Sequence, residues 1–188
     1  ILAARAVKPR PVFVGLVCLI VGAFSLWTWQ RNAVWSDELA FWQDCVKKSP
    51  ADARPRHGLG SYYYDSGDYR QAIEQYAAAI RLDPGYLEAY YSMGNAQKKV
   101  GNVNEALRYY AAVLKKAPEN PQTYNNIGVV LMEGGSLPQA LAYFRKAKEA
   151  GPEYKDARYN LAFTLHRLGR TNEAVAELSD LVRMAPEY

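Results

Sequence analysis

The chain has 188 residues and a net charge of +4, from 23 Lys and Arg against 19 Asp and Glu. Arg5, Lys8 and Arg10 precede residue 12, so the rest of the chain carries little net charge and a basic nucleic-acid-binding surface is not indicated. The two cysteines, Cys18 and Cys45, form no CxxC or CxxCH motif, which excludes the common redox and haem-attachment motifs.

The first predicted element is an apolar helix. Residues 12–29 (VFVGLVCLIVGAFSLWTW) contain no charge and would span about 27 Å as a helix, close to the apolar thickness of a bilayer. Basic residues precede this run and Trp27 and Trp29 end it, as at membrane interfaces. We therefore predict an integral membrane protein with a transmembrane helix over 12–30. Residues 1–11 form its basic cytoplasmic flank, and the remaining chain lies on the periplasmic, extracellular or lumenal side. A signal peptide and a buried helix of a soluble core are the alternatives.

Next comes a short segment, residues 31–52, which looks like half of a repeat. Trp42, Cys45 and Pro50 stand 34 residues before Tyr76, Ala79 and Pro84, so residues 36–48 are predicted to form one helix. The missing partner helix would coincide with the end of the membrane helix, which places the repeats close to the bilayer unless a hinge forms at residues 30–32.

The rest of the chain repeats every 34 residues. Residues at this spacing share one side chain at three places: a proline (Pro50, Pro84, Pro118, Pro152, Pro186), a glycine (Gly67, Gly101, Gly135, Gly169) and an alanine (Ala72, Ala106, Ala140, Ala174). Such a period indicates a solenoid of stacked supersecondary units.

Each unit also carries a short motif before its glycine. The motifs are Leu59-Gly60 with Tyr63, Met93-Gly94, Ile127-Gly128 and Leu161-Ala162. Together with the period, they resemble the tetratricopeptide-repeat (TPR) family. The resemblance implies an all-α fold in which the N-terminal transmembrane helix is followed by a right-handed TPR α-solenoid of antiparallel helix hairpins. The four repeats would cover 53–86, 87–120, 121–154 and 155–188.

Each repeated position has a physical reason. Gly60, Gly94, Gly128 and Ala162 are predicted to be small because two helices cross there, facing the repeated alanines. Tyr76, Tyr110, Phe144 and Leu178 are predicted to fill the gap to the next repeat. The repeated glycines would end each first helix in the left-handed conformation, and the prolines would follow each second helix.

The family resemblance implies a concave face, lined by the first helix of each repeat, that holds a protein or an extended peptide. The candidate partner-binding residues there are His57, Ser61, Tyr64, Tyr91, Asn95, Lys98, Asn125, Asn126, Tyr159 and Asn160. Asn95, Asn126 and Asn160 would form a ladder whose amides bond to a peptide backbone. The Lys and Arg residues of a chaperone carboxylate clamp are missing at the matching positions, and the other tyrosines offer an alternative interface.

No catalytic or metal site is predicted, because His57 and His166 lie far apart and neither has a ligand at metal-binding spacing. We expect no cofactor, no nucleic acid and no enzymatic activity in this segment. The predicted function is that of a membrane-anchored scaffold that binds a protein or peptide beside the membrane, as a subunit of a larger membrane or cell-surface assembly.

A second resemblance offers an alternative. The order of basic flank, membrane helix, a segment with Arg31, Asn32, Trp35, Asp37 and Trp42, and then repeats resembles the C-terminal part of transmembrane-and-TPR O-mannosyltransferase-type proteins. This would make the segment the acceptor-holding arm of a glycosyltransferase whose catalytic part precedes Ile1. We also expect further chain, or a partner, to cover an apolar end formed by Leu178, Leu181 and Val182.

Overall fold

The computed structural model describes the backbone of residues 11–184, with the side chains of 11–14, 17, 18 and 30–36 outside the described set. Within this range every regular element is a helix. The helices are α1 (Pro11–Ser36), α2 (Glu38–Lys48), α3 (Ala53–Asp65), α4 (Tyr69–Leu82), α5 (Leu87–Lys99), α6 (Val103–Lys116), α7 (Pro121–Glu133), α8 (Leu137–Ala150), α9 (Lys155–Arg167) and α10 (Thr171–Met184).

The chain divides into two units, residues 1–50 and 51–188. In the first unit, α1 runs through residues 30–32 without a hinge, and α2 starts after Asp37, whose carboxylate accepts hydrogen bonds from two backbone N–H groups of the first turn. The predicted flank 1–11 lies, apart from Pro11, outside the described residues. Among the residues that the structure describes, no helix has the length and apolar character needed to cross a membrane.

The second unit consists of four helix hairpins: α3–α4, α5–α6, α7–α8 and α9–α10. The prediction that glycine ends each first helix in the left-handed conformation is confirmed, with φ between 76° and 83° at Gly67, Gly101, Gly135 and Gly169. After Gly67, the Asp68 N–H reaches back to the Tyr63 carbonyl, and the same bond recurs in the other three hairpins. The turn that reverses the chain is therefore the same in every hairpin.

The core of the second unit agrees with the predicted close crossing of the two helices of a hairpin and corrects which residue contacts the glycine. A Cβ atom added at Gly60, Gly94 or Gly128 would lie 2.5–2.6 Å from the ring of Tyr76, Tyr110 or Phe144, and the nearest neighbours of each glycine are that ring and not the repeated alanine. The glycine is small because an aromatic ring of the second helix lies on it. Each ring then also packs on the first helix of the next hairpin, as Tyr76 does on Met93 and Ala96.

The exposed apolar end was predicted correctly at two of its three residues. On α10, Leu178 is 40% exposed and Val182 59% exposed, whereas Leu181 is only 2% exposed. Leu181 was wrongly assigned to this exposed end, because its side chain is buried.

Candidate functional site

The ten predicted partner-binding residues all lie on the first helices of the hairpins, α3, α5, α7 and α9. We call the surface formed by these four helices the first-helix face. Tyr159 is the most exposed of the ten, at 47%, and Asn125 is the most buried, at 5%. The other eight are half-buried. The candidate residues therefore share one face, but they differ in how much of each side chain a partner can reach.

Side-chain hydrogen bonds join neighbouring hairpins across this face at a constant offset of 35 residues. Asn126 Nδ2 donates to Tyr91 Oη over 2.9 Å, and Asn160 Nδ2 donates to Asn125 Oδ1 over 2.9 Å. His57 Nε2 lies 3.0 Å from Ser92 Oγ at the equivalent place between α3 and α5. We call these three bonds the rungs. They stabilise the stacking of one hairpin on the next.

The predicted asparagine ladder is corrected by these bonds. Asn126 Nδ2 also donates to Asn95 Oδ1 over 2.8 Å, and Tyr110 Oη donates to the same oxygen over 2.7 Å. Asn160 instead joins Asn125, so the three predicted amides do not form one continuous ladder. The side-chain oxygens of Asn126 and Asn160 accept no hydrogen bond within the described residues, so each amide still offers a peptide one acceptor.

Burial sets the protonation of two residues on this face. Burial lowers the pKa of His57, an effect that Glu88 partly opposes, so the imidazole is neutral at pH 7. Its ring packs against the rings of Tyr76 and Tyr86, with centroids 5.4 Å and 5.2 Å away. Burial also raises the pKa of Tyr91, whose hydroxyl therefore stays protonated. The face carries neutral hydrogen-bonding groups at these positions.

A cavity of about 470 Å³ opens on the first-helix face at the starts of α5 and α7. We call it the groove pocket; its lining residues are His57, Leu87, Glu88, Tyr91, Ser92, Val113, Asn120 and Gln122. Its volume lies in the range of about 300–1,000 Å³ typical of ligand pockets. Of the ten predicted residues only His57 and Tyr91 line it.

A second surface holds two tyrosine pairs at the 34-residue period. The ring centroids of Tyr90 and Tyr109 are 6.2 Å apart, and those of Tyr124 and Tyr143 are 6.3 Å apart. Lys146 Nζ stands 5.3 Å from the Tyr143 centroid. All four tyrosines are half-buried. Much of their area thus packs within the hairpins, which leaves less of it for the interface that the sequence suggested.

Sequence reasoning placed the candidate residues on one face and missed how they pair. The sequence does contain a signal for this pairing. Polar residues that can form hydrogen bonds recur 35 residues apart, and each such pair joins one hairpin to the next. Within residues 11–184, no three His, Cys, Asp or Glu side chains among those described form a group that could hold a metal ion.

Comparisons with known proteins agree with this fold. Tetratricopeptide-repeat family models match residues 60–101, 91–155 and 131–188. None of these models describes a catalytic family. No curated protein sequence matches the chain. Nothing in these comparisons supports the resemblance to O-mannosyltransferase-type proteins, which stays a prediction from the sequence.

Several solved structures share the helical arrangement. A crystal structure of MamA is 20% identical, with a TM-score of 0.72, and the match covers 84% of this chain and 92% of that one. MamA from Desulfovibrio magneticus RS-1, from residue 41 to its end, is 21% identical, with a TM-score of 0.70 and coverage of 82% and 88%. YrrB, described as a TPR protein with an unusual peptide-binding site, is 22% identical, with a TM-score of 0.64 and 84% coverage of both chains. These similarities show the fold.

Proposed function

From the premise that residues 60–188 of this chain are tetratricopeptide repeats, we propose that the chain is a scaffold that binds an extended peptide segment of a partner protein on the first-helix face. The observation that carries this proposal is the groove pocket beside a row of polar side chains that keep free acceptors. The peptide-binding site reported for YrrB, a protein of the same fold, adds support.

The side chains of this face suit a peptide backbone better than a charged ligand. The oxygens of Asn126 and Asn160 can accept hydrogen bonds from peptide N–H groups, and Tyr159 and Phe163 expose stacked rings, with centroids 6.5 Å apart, for apolar side chains. The rungs hold the amides in place before the peptide arrives, which reduces the entropy lost on binding.

Site-specific photo-crosslinking tests this proposal. A photoreactive phenylalanine analogue replaces Tyr159 on the first-helix face, and in a control it replaces Leu82, which is 41% exposed at the end of α4. We expect the first position to crosslink peptides from a randomised nonapeptide mixture and the second not to do so. Equal labelling at both positions, or no labelling at either, would contradict the proposal.

We also propose that residues 12–30 anchor this scaffold in a membrane, with the repeats on the side opposite the basic flank, as part of a larger assembly. The support is the uncharged run of 12–29, whose exposed side chains include Leu19, at 74%, and Trp29, at 68%. Apolar side chains this exposed along α1 favour a lipid environment over water.

Vesicle flotation tests the anchor. We expect the full chain to float with phospholipid vesicles and to stay with them through alkaline extraction, and a Leu19→Arg, Phe24→Arg variant to lose this association. Protease treatment of sealed vesicles then reports which side carries the repeats. A wild-type chain that never associates with the vesicles would refute the anchor and leave the scaffold proposal intact.

A further inference from the structure

The groove pocket has an apolar wall and a polar rim. Leu87 supplies aliphatic surface and Tyr91 an aromatic ring, whereas Val113 lines the pocket with only 2% of its side chain exposed. Ser92, Asn120 and Gln122 supply hydroxyl and amide groups. A side chain that enters this space must be long enough to leave the peptide backbone and apolar enough to replace water along the wall.

Glu88 is the one acidic residue of the pocket lining, and no Lys or Arg lines the pocket. The Glu88 side chain is exposed, and no ion pair to it occurs among the described residues. Arg54 stands one repeat earlier in the same register, but its guanidinium is bound to Asp52 over 2.8 Å. The pocket therefore presents an uncompensated negative charge beside an apolar wall.

The remaining titratable groups of the pocket do not cancel this charge. Burial lowers the pKa of His57, so at pH 7 the imidazole contributes no positive charge. Tyr91 is a neutral phenol, because burial raises its pKa. An anionic ligand would meet repulsion from Glu88, and a purely apolar one would bury a carboxylate without a partner.

A ligand that satisfies both parts of the pocket has an aliphatic stem and a cationic end. We propose that the groove pocket takes a lysine or arginine side chain of the bound peptide, with its stem against Leu87 and Tyr91 and its cation beside Glu88. Lysine and arginine commonly bury their methylene stems in this way. This inference rests on the proposed peptide binding and adds which residue the peptide must carry.

The experiment uses the full chain and four nonapeptide mixtures, each with its central residue fixed as Arg, Lys, norleucine or Glu and the other positions randomised. Binding is measured by fluorescence polarisation. We expect the Arg and Lys mixtures to bind about fivefold more tightly than the norleucine mixture, as for a partly exposed ion pair, and the Glu mixture to bind most weakly. Norleucine serves as the neutral analogue of lysine.

Variants of the pocket residues test whether the preference for Arg and Lys arises in the groove pocket. Glu88→Gln should make Lys and norleucine bind equally well, and Glu88→Lys should favour the Glu mixture. Glu153→Gln is the matched control, because Glu153 is also exposed, forms no ion pair among the described residues and lies outside the pocket. Leu87→Ala should weaken the binding of the Arg, Lys and norleucine mixtures to the same extent.

The binding measurements distinguish failure of this inference from failure of the proposed peptide binding. Peptides that bind without a preference for Arg or Lys, or with a preference that survives in Glu88→Gln, would overturn this inference and leave the proposed function standing. Absence of binding by all four mixtures, together with no crosslinking from Tyr159, would overturn both.

Discussion

Three hairpins of the second unit bury an aromatic ring on a glycine, whereas the fourth hairpin has Ala162 and Leu178 at the same two positions. Tyr110 and Phe144 are completely buried, and Leu178 is 40% exposed. The difference follows from the neighbours. Phe144 packs on Leu161 and Leu165 of α9, and among the described residues no further helix covers α10. Each aromatic ring is thus stabilised by two hairpins, its own and the next one.

The largest expected effect comes from removing such a ring. We expect Phe144→Ala to lower the free energy of unfolding by about 3–5 kcal/mol, since it leaves a cavity between two hairpins. Leu178→Ala should change it by less than about 1 kcal/mol, because much of that side chain already contacts solvent. Urea unfolding followed by circular dichroism measures both. Equal losses would mean that hairpin-to-hairpin burial does not distinguish the two positions.

A smaller effect is expected from the glycine side of the same contact. Gly128→Ala places a methyl group 2.6 Å from the Phe144 ring, and overpacking of this kind costs about 1–3 kcal/mol. If the fourth hairpin accepts Ala162 because Leu178 is not aromatic, then Gly128→Ala with Phe144→Leu should be more stable than Gly128→Ala alone. A double variant whose loss of stability equals the sum of the losses in Gly128→Ala and Phe144→Leu alone would show that the two positions are independent.

Much of this fold could be predicted from the sequence. The 34-residue period gave the helix pairs, and the glycines that end the first helices were assigned correctly because only a left-handed residue reverses the chain there. The partner of Gly60 was missed. The 34-residue period shows that a small residue recurs at this position. The reason is the nearby ring of Tyr76, a tertiary contact that the sequence does not show.

The sequence predicted which face of the repeats carries the candidate residues, but not which of them bond to one another. Asn126 and Asn160 were assigned as ligand groups, because an amide on a first helix looks the same whether it binds a peptide or the next hairpin. The structure shows that one polar atom of each is already used in a rung. The groove pocket could not be predicted, since His57, Val113 and Gln122 come from three hairpins that only the fold brings together.

The hydrogen bonds between hairpins also differ between the inner hairpins and the last one. Asn126 donates two hydrogen bonds between α5 and α7, and Asn160 donates one between α7 and α9. We expect Asn126→Ala to cost about 1–3 kcal/mol, since it leaves partly buried partners unsatisfied, and Asn160→Ala about 0.5–1.5 kcal/mol. Asn172→Ala, at an exposed position of α10, is the control. The reverse order of the first two losses would contradict the assignment of Asn126 as the stronger link.

The smallest expected effect is the pH dependence of the first rung. Burial lowers the pKa of His57 below its ordinary value of 6.5, so between that lowered pKa and 6.5 the unfolded chain binds more protons than the folded chain. The contribution of this residue to stability is therefore complete above pH 6.5 and falls as the solution is acidified through that window. Urea unfolding at a series of pH values should show this slope in the wild type and lose it in His57→Gln. His166→Gln changes an exposed histidine of α9 and should keep the slope. A slope that persists in His57→Gln would mean that another group titrates, and that the rung between α3 and α5 does not depend on a neutral imidazole.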